Sequence, residues 1–309
     1  MGRRRRRGGQ PHTGLILLDK PQGITSFKAV ERVRRALQAE RAGHTGTLDP
    51  MATGLLPICL GQTTRLAQFV SDADKGYRAT VRLGQATDTL DAEGQVVATD
   101  DPERVAAIGG SAFDAALAAF RGPIEQRPPA YSAIKVDGER LYAKARRGEE
   151  VEVPVRSVVI HRLVLLTAEP PDFTFEVICS KGTYVRTLAA DIAESLGVHG
   201  HLVALRRTAV AAHRVDDALT LEAIEADADA ALARRLSPAD AVGHLPAVRP
   251  AAELVDHLWH GRRRPLPDAP EGRCRVLDGR GRLVAIVDVS SDGAVEIVRG
   301  LPRPDDEDA

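Results

Sequence analysis

One stretch constrains the backbone of this chain more than any other: Gly43-His44-Thr45-Gly46-Thr47-Leu48-Asp49-Pro50-Met51-Ala52-Thr53-Gly54-Leu55-Leu56-Pro57. Pro50 disfavours the helical region for the residue before it and leaves Asp49 extended or in a turn. Gly43, Gly46 and Gly54 permit close backbone approach. The expected result is a single carboxylate displayed on a loop, with apolar Leu48, Leu55 and Leu56 nearby. Taken alone, Asp-Pro is also a helix N-cap pattern, and on residue types that is its commoner use. The GxxxxGK[ST] pattern of a phosphate-binding loop is absent.

Around this loop the periodicity keeps changing. Gly14–Lys20 (GLILLDK) is a short apolar run ending before Pro21, as in a buried strand followed by a turn. Thr25 or Ser26 can cap a helix in which Val30, Val33 and Leu37 recur at helical spacing. Tyr77–Leu83 alternates as a strand, Thr87–Gly94 (TDTLDAEG) is dense in turn formers, and Val96–Ala98 returns as a strand. Ala112–Phe120 reads as a short helix. Gln126–Gly148 opens on a proline pair, and its basic second half is compatible with a helix. Residues 151–167 and Phe173–Ser180 are rich in β-branched residues. Tyr184–Leu196 has helical spacing and stops at Gly197. His201–His213 reads as a strand or hairpin, and Leu221–Leu236 as an acidic helix. Strands and helices without regular βαβ alternation predict an α+β fold, with a mixed, mainly antiparallel sheet and flanking helices.

At 309 residues the chain exceeds a usual single core, which suggests two domains. The expected boundaries are a disordered basic tail at 1–12, a main domain at 13–244, a small β-rich domain at 245–302 and an acidic tail at 303–309. The small domain should hold a helix, Ala251–His260, and three strands, Cys274–Leu277, Leu283–Val289 and Ala294–Val298. With 43% hydrophobic and 28% charged residues the composition is globular. No apolar run approaches the roughly 20 residues a membrane helix needs, and no signal-peptide core follows the basic N-terminus. Cys59, Cys179 and Cys274 are widely spaced, which suggests buried thiols rather than a disulfide framework or a zinc site, in a cytoplasmic protein. The net charge of −1 conceals an asymmetry: residues 1–215 carry 30 Lys+Arg against 24 Asp+Glu, and residues 216–309 carry 12 against 19. A basic front portion suits a polyanion-binding surface, although Arg3–Arg7 can equally be a solvated tail.

The glycine-rich loop resembles the segment around the catalytic aspartate of TruB-type tRNA pseudouridine synthases. Further blocks resemble the same family in the same order: LDKPQGITS (18–26), KGYRATVRLGQATDTLDAEG (75–94), PPAYSAIKVDGERLYAKARRG (128–148), CSKGTYVRTLAADIAESLG (179–197) and HLVALRRTAV (201–210). They span most of residues 14–215. The resemblance implies an isomerase that converts the T-loop uridine at position 55 of tRNA to pseudouridine after flipping it from its stack. It implies no cofactor or metal, a monomer, and no required protein partner.

The resemblance also assigns roles. Asp49 is the essential carboxylate. Arg186 is its cationic partner, able to pair with a carboxylate through two N–H groups. Tyr77 is the tyrosine that stacks on the target base, with a hydroxyl that can assist removal of the C5 proton. Tyr184 and Leu205 bind the substrate and line the base pocket, and His44 fills the space that the flipped base vacates. Lys20, Lys135, Arg140, Lys144, Arg146 and Arg147 are candidate phosphate contacts. The C-terminal module weakly resembles a PUA-type RNA-binding domain, but it is short and acidic, and Arg262–Arg264 is its one evident basic patch. Two other functions fit the same residues less well: a tRNA-folding chaperone that needs no chemistry, and a guide-RNA-dependent synthase of the dyskerin type.

Overall fold

The computed structural model describes residues 10–129, 135–136, 139–140, 147, 154–266 and 268–303. The architecture is α+β, as the mixed periodicity predicts. By packing, the chain divides into two compact units, one of residues 1–48, 55–71 and 211–309 and the other of residues 49–54 and 72–210.

The second unit is built on a run of antiparallel strands. The strand Gly200–Val210 pairs with the Tyr77 strand, Lys75–Leu83. That strand pairs with Asp172–Cys179, which pairs with Arg156–Glu169, which pairs with Gly122–Gln126. Thr53 and Gly54 open another strand, Thr53–Leu60, and pair in parallel with Arg206 and Arg207, so the sheet is mixed but mainly antiparallel. Period-two burial is clearest in Asp172–Cys179, where Phe173, Phe175, Val177 and Cys179 are all buried. The helix Gly110–Ala118 lays Phe113 on Phe173 with ring centroids 4.4 Å apart and planes 7° from parallel. Burying a phenylalanine contributes roughly 1.5–3 kcal/mol, so this contact fixes the helix firmly. The helix Val185–Ser195 buries Leu188, Ala189, Ile192 and Ala193.

Gly54 must be glycine. Its φ is +99°, and a Cβ there would lie 2.3 Å from the carbonyl oxygen of Arg207. Gly43 differs from expectation, because the space around it is open and no close approach requires it.

In the first unit, the strand Gly14–Lys20 lies between Leu219–Thr220, with which it is parallel, and the remainder of the strand Thr53–Leu60. Ala42–His44 pairs antiparallel with Ile58–Leu60. Thr25 caps the helix Ser26–Ala36 by accepting from the Lys28 N–H, and Val30, Val33 and Leu37 are buried as their spacing predicts. The same unit contains a separate four-stranded sheet, Ala247–Val248, Gly272–Leu277, Leu283–Val289 and Val295–Gly300. Val255 and Leu258 of the helix Ala252–Trp259 join Cys274, Val276, Val284 and Val287 in a core of its own.

Several expectations are corrected. Gln10 is held in place by its N–H to Gln38 O and by the Glu40 N–H to its own carbonyl, so residues 10–12 do not belong to a disordered tail. Leu221–Leu236 is two short helices, Leu221–Ala226 and Ala228–Ala233. Asp227 between them is extended and caps the second by accepting from the Ala230 N–H, a use of Asp that competes with helix continuation. By packing, residues 211–309 group with 1–48 and 55–71, and within that unit the C-terminal segment keeps a sheet and core of its own. Lys135–Val136 and Glu139–Arg140 form a short antiparallel hairpin. The basic helix expected after them, with Lys144 and Arg146, lies outside the described residues, as do the Arg3–Arg7 run and the acidic tail from residue 304. All three cysteines are buried free thiols. Among the described residues no helix is long and apolar enough to cross a membrane.

Candidate active site

Asp49 does not cap a helix. Its carbonyl accepts from the Ala52 N–H at 3.1 Å in a turn, and a strand begins at Thr53. The residue before it is clamped: Ser26 Oγ accepts from the Leu48 N–H at 2.8 Å and donates to the Leu48 carbonyl at 3.0 Å. The Asp49 side chain keeps 38% exposure and so stays accessible.

Arg186 lies in the first turn of the helix Val185–Ser195, after a turn at Gly182 (φ +85°) in which Thr183 Oγ1 donates to the Ser180 carbonyl. Its side chain is 8% exposed. Nε lies 3.2 Å from Asp49 Oδ2, and Nη1 lies 3.1 Å from Asp91 Oδ2 and donates to the Thr89 carbonyl at 2.9 Å. Asp91 is buried and held in turn by the Thr89 hydroxyl at 2.6 Å and the Glu93 N–H at 3.1 Å. One cation thus serves two carboxylates, a buried one that fixes it and an accessible one that it holds. A buried arginine without the first would lack full compensation for its desolvation.

Tyr77 is buried, and its Cα stands opposite Val177 on one side and Arg207 on the other. Burial raises the phenol above its ordinary value, the nearby Arg207 cation opposes that rise, and the Asp49 carboxylate adds to it. Burial, followed by repulsion from Arg207, pushes the Lys75 ammonium down to about 8. Burial pushes the Cys179 thiol up to about 11.

The remaining expected residues are less uniform. Leu205 is buried and stands opposite Ala79, two residues from Arg207 and therefore on the same face. Tyr184 precedes the Arg186 helix, half-buried, and exchanges two backbone hydrogen bonds with the Gln126 side chain. His44, in the first unit, is half-buried with Nδ1 accepting from the Gly46 N–H at 3.2 Å. That bond leaves Nδ1 without a proton and suits a neutral, planar imidazole. Lys20 is fully buried, and its Nζ donates to the Pro21 and Ile24 carbonyls at 2.9 and 2.8 Å. Lys135 lies in the short hairpin strand. Among the described residues no three His, Cys, Asp or Glu side chains gather as metal ligands would.

Two residues of the site escaped the sequence reading. Asp91 lies in TDTLDAEG, taken there only as a turn, although the density of acidic residues was a signal. Arg207 follows the expected Leu205 by two, and strand alternation would have placed it on the same face.

Residues 34–185 match the family model of the TruB family pseudouridylate synthase N-terminal domain, and residues 186–242 match the tRNA pseudouridylate synthase B C-terminal domain. The tRNA pseudouridine synthase B of Cupriavidus metallidurans is 48% identical over 284 residues, covering 88% of this chain and 89% of that protein. The protein of the same name from Aromatoleum aromaticum is 49% identical over 283 residues, with 91% and 90% covered. Among solved structures, a chain of a Cbf5-Nop10-Gar1 complex superposes with a TM-score of 0.75 at 26% identity, over 94% of this chain and 86% of that one. Fold and sequence together define a pseudouridylate synthase, an isomerase acting on RNA. Within that class, the chain belongs to the TruB family, whose reaction converts a uridine of tRNA to pseudouridine.

Proposed function

We propose that Asp49 is the essential carboxylate with which this chain isomerises the T-loop uridine at position 55 of tRNA. The observation that carries the reading is the Asp49–Arg186 contact at 3.2 Å, which joins an accessible carboxylate to a buried cation. The reaction breaks the C1′–N1 bond, turns the detached base within the site and rejoins it through C5. Atoms are rearranged without net oxidation or hydrolysis, so the chemistry requires no redox cofactor. Attack at C1′, attack on the pyrimidine ring and proton abstraction towards a glycal all need Asp49 ionised, and an adjacent guanidinium favours that form.

Tyr77 offers a stacking face that tolerates rotation of the base, because stacking fixes no hydrogen-bond register. Leu205 and Tyr184 line the base pocket, and His44 takes the space the base leaves. Extruding the base costs a few kcal/mol, offset by contacts in the pocket. Lys135, Arg140 and Arg147 contact phosphates, and the 245–302 module adds an RNA surface through the exposed Arg262, Arg263 and Arg264. The enzyme acts in the cytoplasm as a monomer without an obligate protein partner.

The test is an unmodified T-arm hairpin incubated with the protein, followed by mapping of pseudouridine. Product at the T-loop uridine is expected from the wild type and none from Asp49→Asn, which should still bind the hairpin. Undiminished product from Asp49→Asn would overturn the role of this carboxylate.

A further inference from the structure

We infer that Phe27 is a base-stacking contact for the tRNA, with the exposed cations Lys28 and Arg34 serving neighbouring phosphates. The inference rests on the seating of the target uridine at Asp49 proposed above.

The other phenylalanines of this chain are hidden from water. Phe69, Phe113, Phe173 and Phe175 are at most 3% exposed and Phe120 is half-buried, whereas Phe27 is 68% exposed. Single exposed apolar side chains are ordinary on protein surfaces, so exposure alone assigns nothing. Position and company decide.

Phe27 lies in the first turn of the helix Ser26–Ala36. Its neighbour Ser26 exchanges two hydrogen bonds with the backbone of Leu48, and one peptide bond joins Leu48 to Asp49. His44, to which the space left by the flipped base is assigned, belongs to the same packing unit as Phe27. RNA that places a uridine at Asp49 and a gap at His44 therefore passes close to this end of the helix.

Ala29, Val30 and Val33 bury one side of the helix, and the opposite side carries Phe27, Lys28, Arg34 and Arg35, all exposed. Arg34 follows Phe27 by seven residues, which is two turns along the same face and about 10 Å along the axis. Glu31 is the helix's single acidic residue, and Arg32 on the flank is engaged by Glu225. A flat apolar ring bordered by cations matches a nucleotide. Any unpaired base can stack on the ring, and the phosphates on either side attract the cations. An acidic protein surface would engage the cations, but only a nucleic acid presents a flat face and an anion in every repeating unit.

The test is binding of unmodified full-length tRNA by the wild type, Phe27→Ala, Phe27→Leu, Phe27→Trp and the Lys28→Gln/Arg34→Gln double variant, with thermal melting alongside. Phe27→Ala should raise the dissociation constant by about fivefold to a hundredfold, and Phe27→Leu, apolar but not planar, should recover little of it. Phe27→Trp should keep the affinity, and its indole emission should be quenched when tRNA binds, beyond any change that Trp259 shows in the wild type. The charge variant should lower the slope of log affinity against log salt by about 1–2. Melting should not move, because all three side chains are exposed. Unchanged affinity in Phe27→Ala, or full affinity in Phe27→Leu, would overturn the inference while leaving the function intact. So would self-association of the wild type that Phe27→Ala abolishes with tRNA affinity unchanged, which would assign this face to a second copy of the chain. Wild type that forms no pseudouridine at the T-loop uridine would instead strike the reading of Asp49 on which the inference rests.

Discussion

Two arginine–aspartate contacts in the same unit look alike in a list of distances and differ in what they do. Arg82 grips Asp172 through two bonds of 2.7 Å, with side chains 46% and 33% exposed. Arg186 makes longer contacts, 3.2 Å to Asp49 and 3.1 Å to Asp91, at 8% exposure. The shorter, bidentate pair is the weaker contributor, because water screens it and competes for both partners. The longer contacts act where water is largely absent, so removing one partner leaves a charge that nothing nearby can solvate. Burial, more than length, decides which pair matters. In the Arg186 cluster burial is also distributed unequally, with Asp91 buried and Asp49 accessible.

The comparison can be broken most forcefully at Arg186. Arg186→Ala strands buried Asp91, at a cost of about 3–5 kcal/mol, and removes the cation beside Asp49. Product formation should fall by about a hundredfold or more, with tRNA affinity little changed, measured by single-turnover assay and filter binding. Equal losses in rate and affinity would make Arg186 an RNA contact instead. A smaller effect is expected from Asp91→Asn, which keeps the shape and removes the charge that fixes the guanidinium. A hydrogen bond to a charged group contributes about 1.5–3 kcal/mol, or about a ten- to hundredfold loss of rate. An unchanged rate would show that Asp49 and the Thr89 carbonyl suffice to hold Arg186.

Asp191, on the Arg186 helix, supplies the case of burial without a cation. Desolvation, assisted by Glu194, raises its carboxyl from 3.8 to about 6. An acid whose folded pKa lies above its unfolded one destabilises the fold once the unfolded chain ionises. Its effect on stability is absent below 3.8, grows as pH rises towards about 6, and is complete above that. Because Asp191 is only partly buried, solvent reduces the penalty to about 1 kcal/mol. Asp191→Asn should therefore raise the denaturation midpoint at pH 7 and leave it unchanged at pH 3.5. The smallest effect belongs to Arg82 and Asp172. A double-mutant cycle on that pair should give a coupling of about 0.2–1 kcal/mol that shrinks with added salt, and a coupling matching that of Arg186 would break the comparison.

Much of this was legible in the residues. The period-two alternation of Phe173, Phe175 and Val177 and the helical spacing of Val30, Val33 and Leu37 fixed element types correctly, because each is set by which face must leave water. Pro50 barred Asp49 from a helix. The ordered family blocks then pointed to Asp49, Arg186 and Tyr77. Legibility failed where a residue's local and tertiary roles diverge. Lys20 reads as a surface cation, yet its ammonium satisfies two loop carbonyls in the interior. Asp91 reads as a turn former, yet it anchors a guanidinium 95 residues away in sequence. Asp227 ended a helix that its neighbours' propensities would have continued.

By itself the sequence determined the α+β class, the loop carrying Asp49, the glycine at position 54 and the family, since all of these are written in local residue types or in the order of blocks. Only the tertiary structure decided which charge each buried cation meets. The pairings of Arg186 with Asp49 and with Asp91 arise from loop closure between distant segments. Burial then turns those contacts from minor surface interactions into the framework that holds Asp49 ready, and no spacing along the chain encodes how much water remains around a charge.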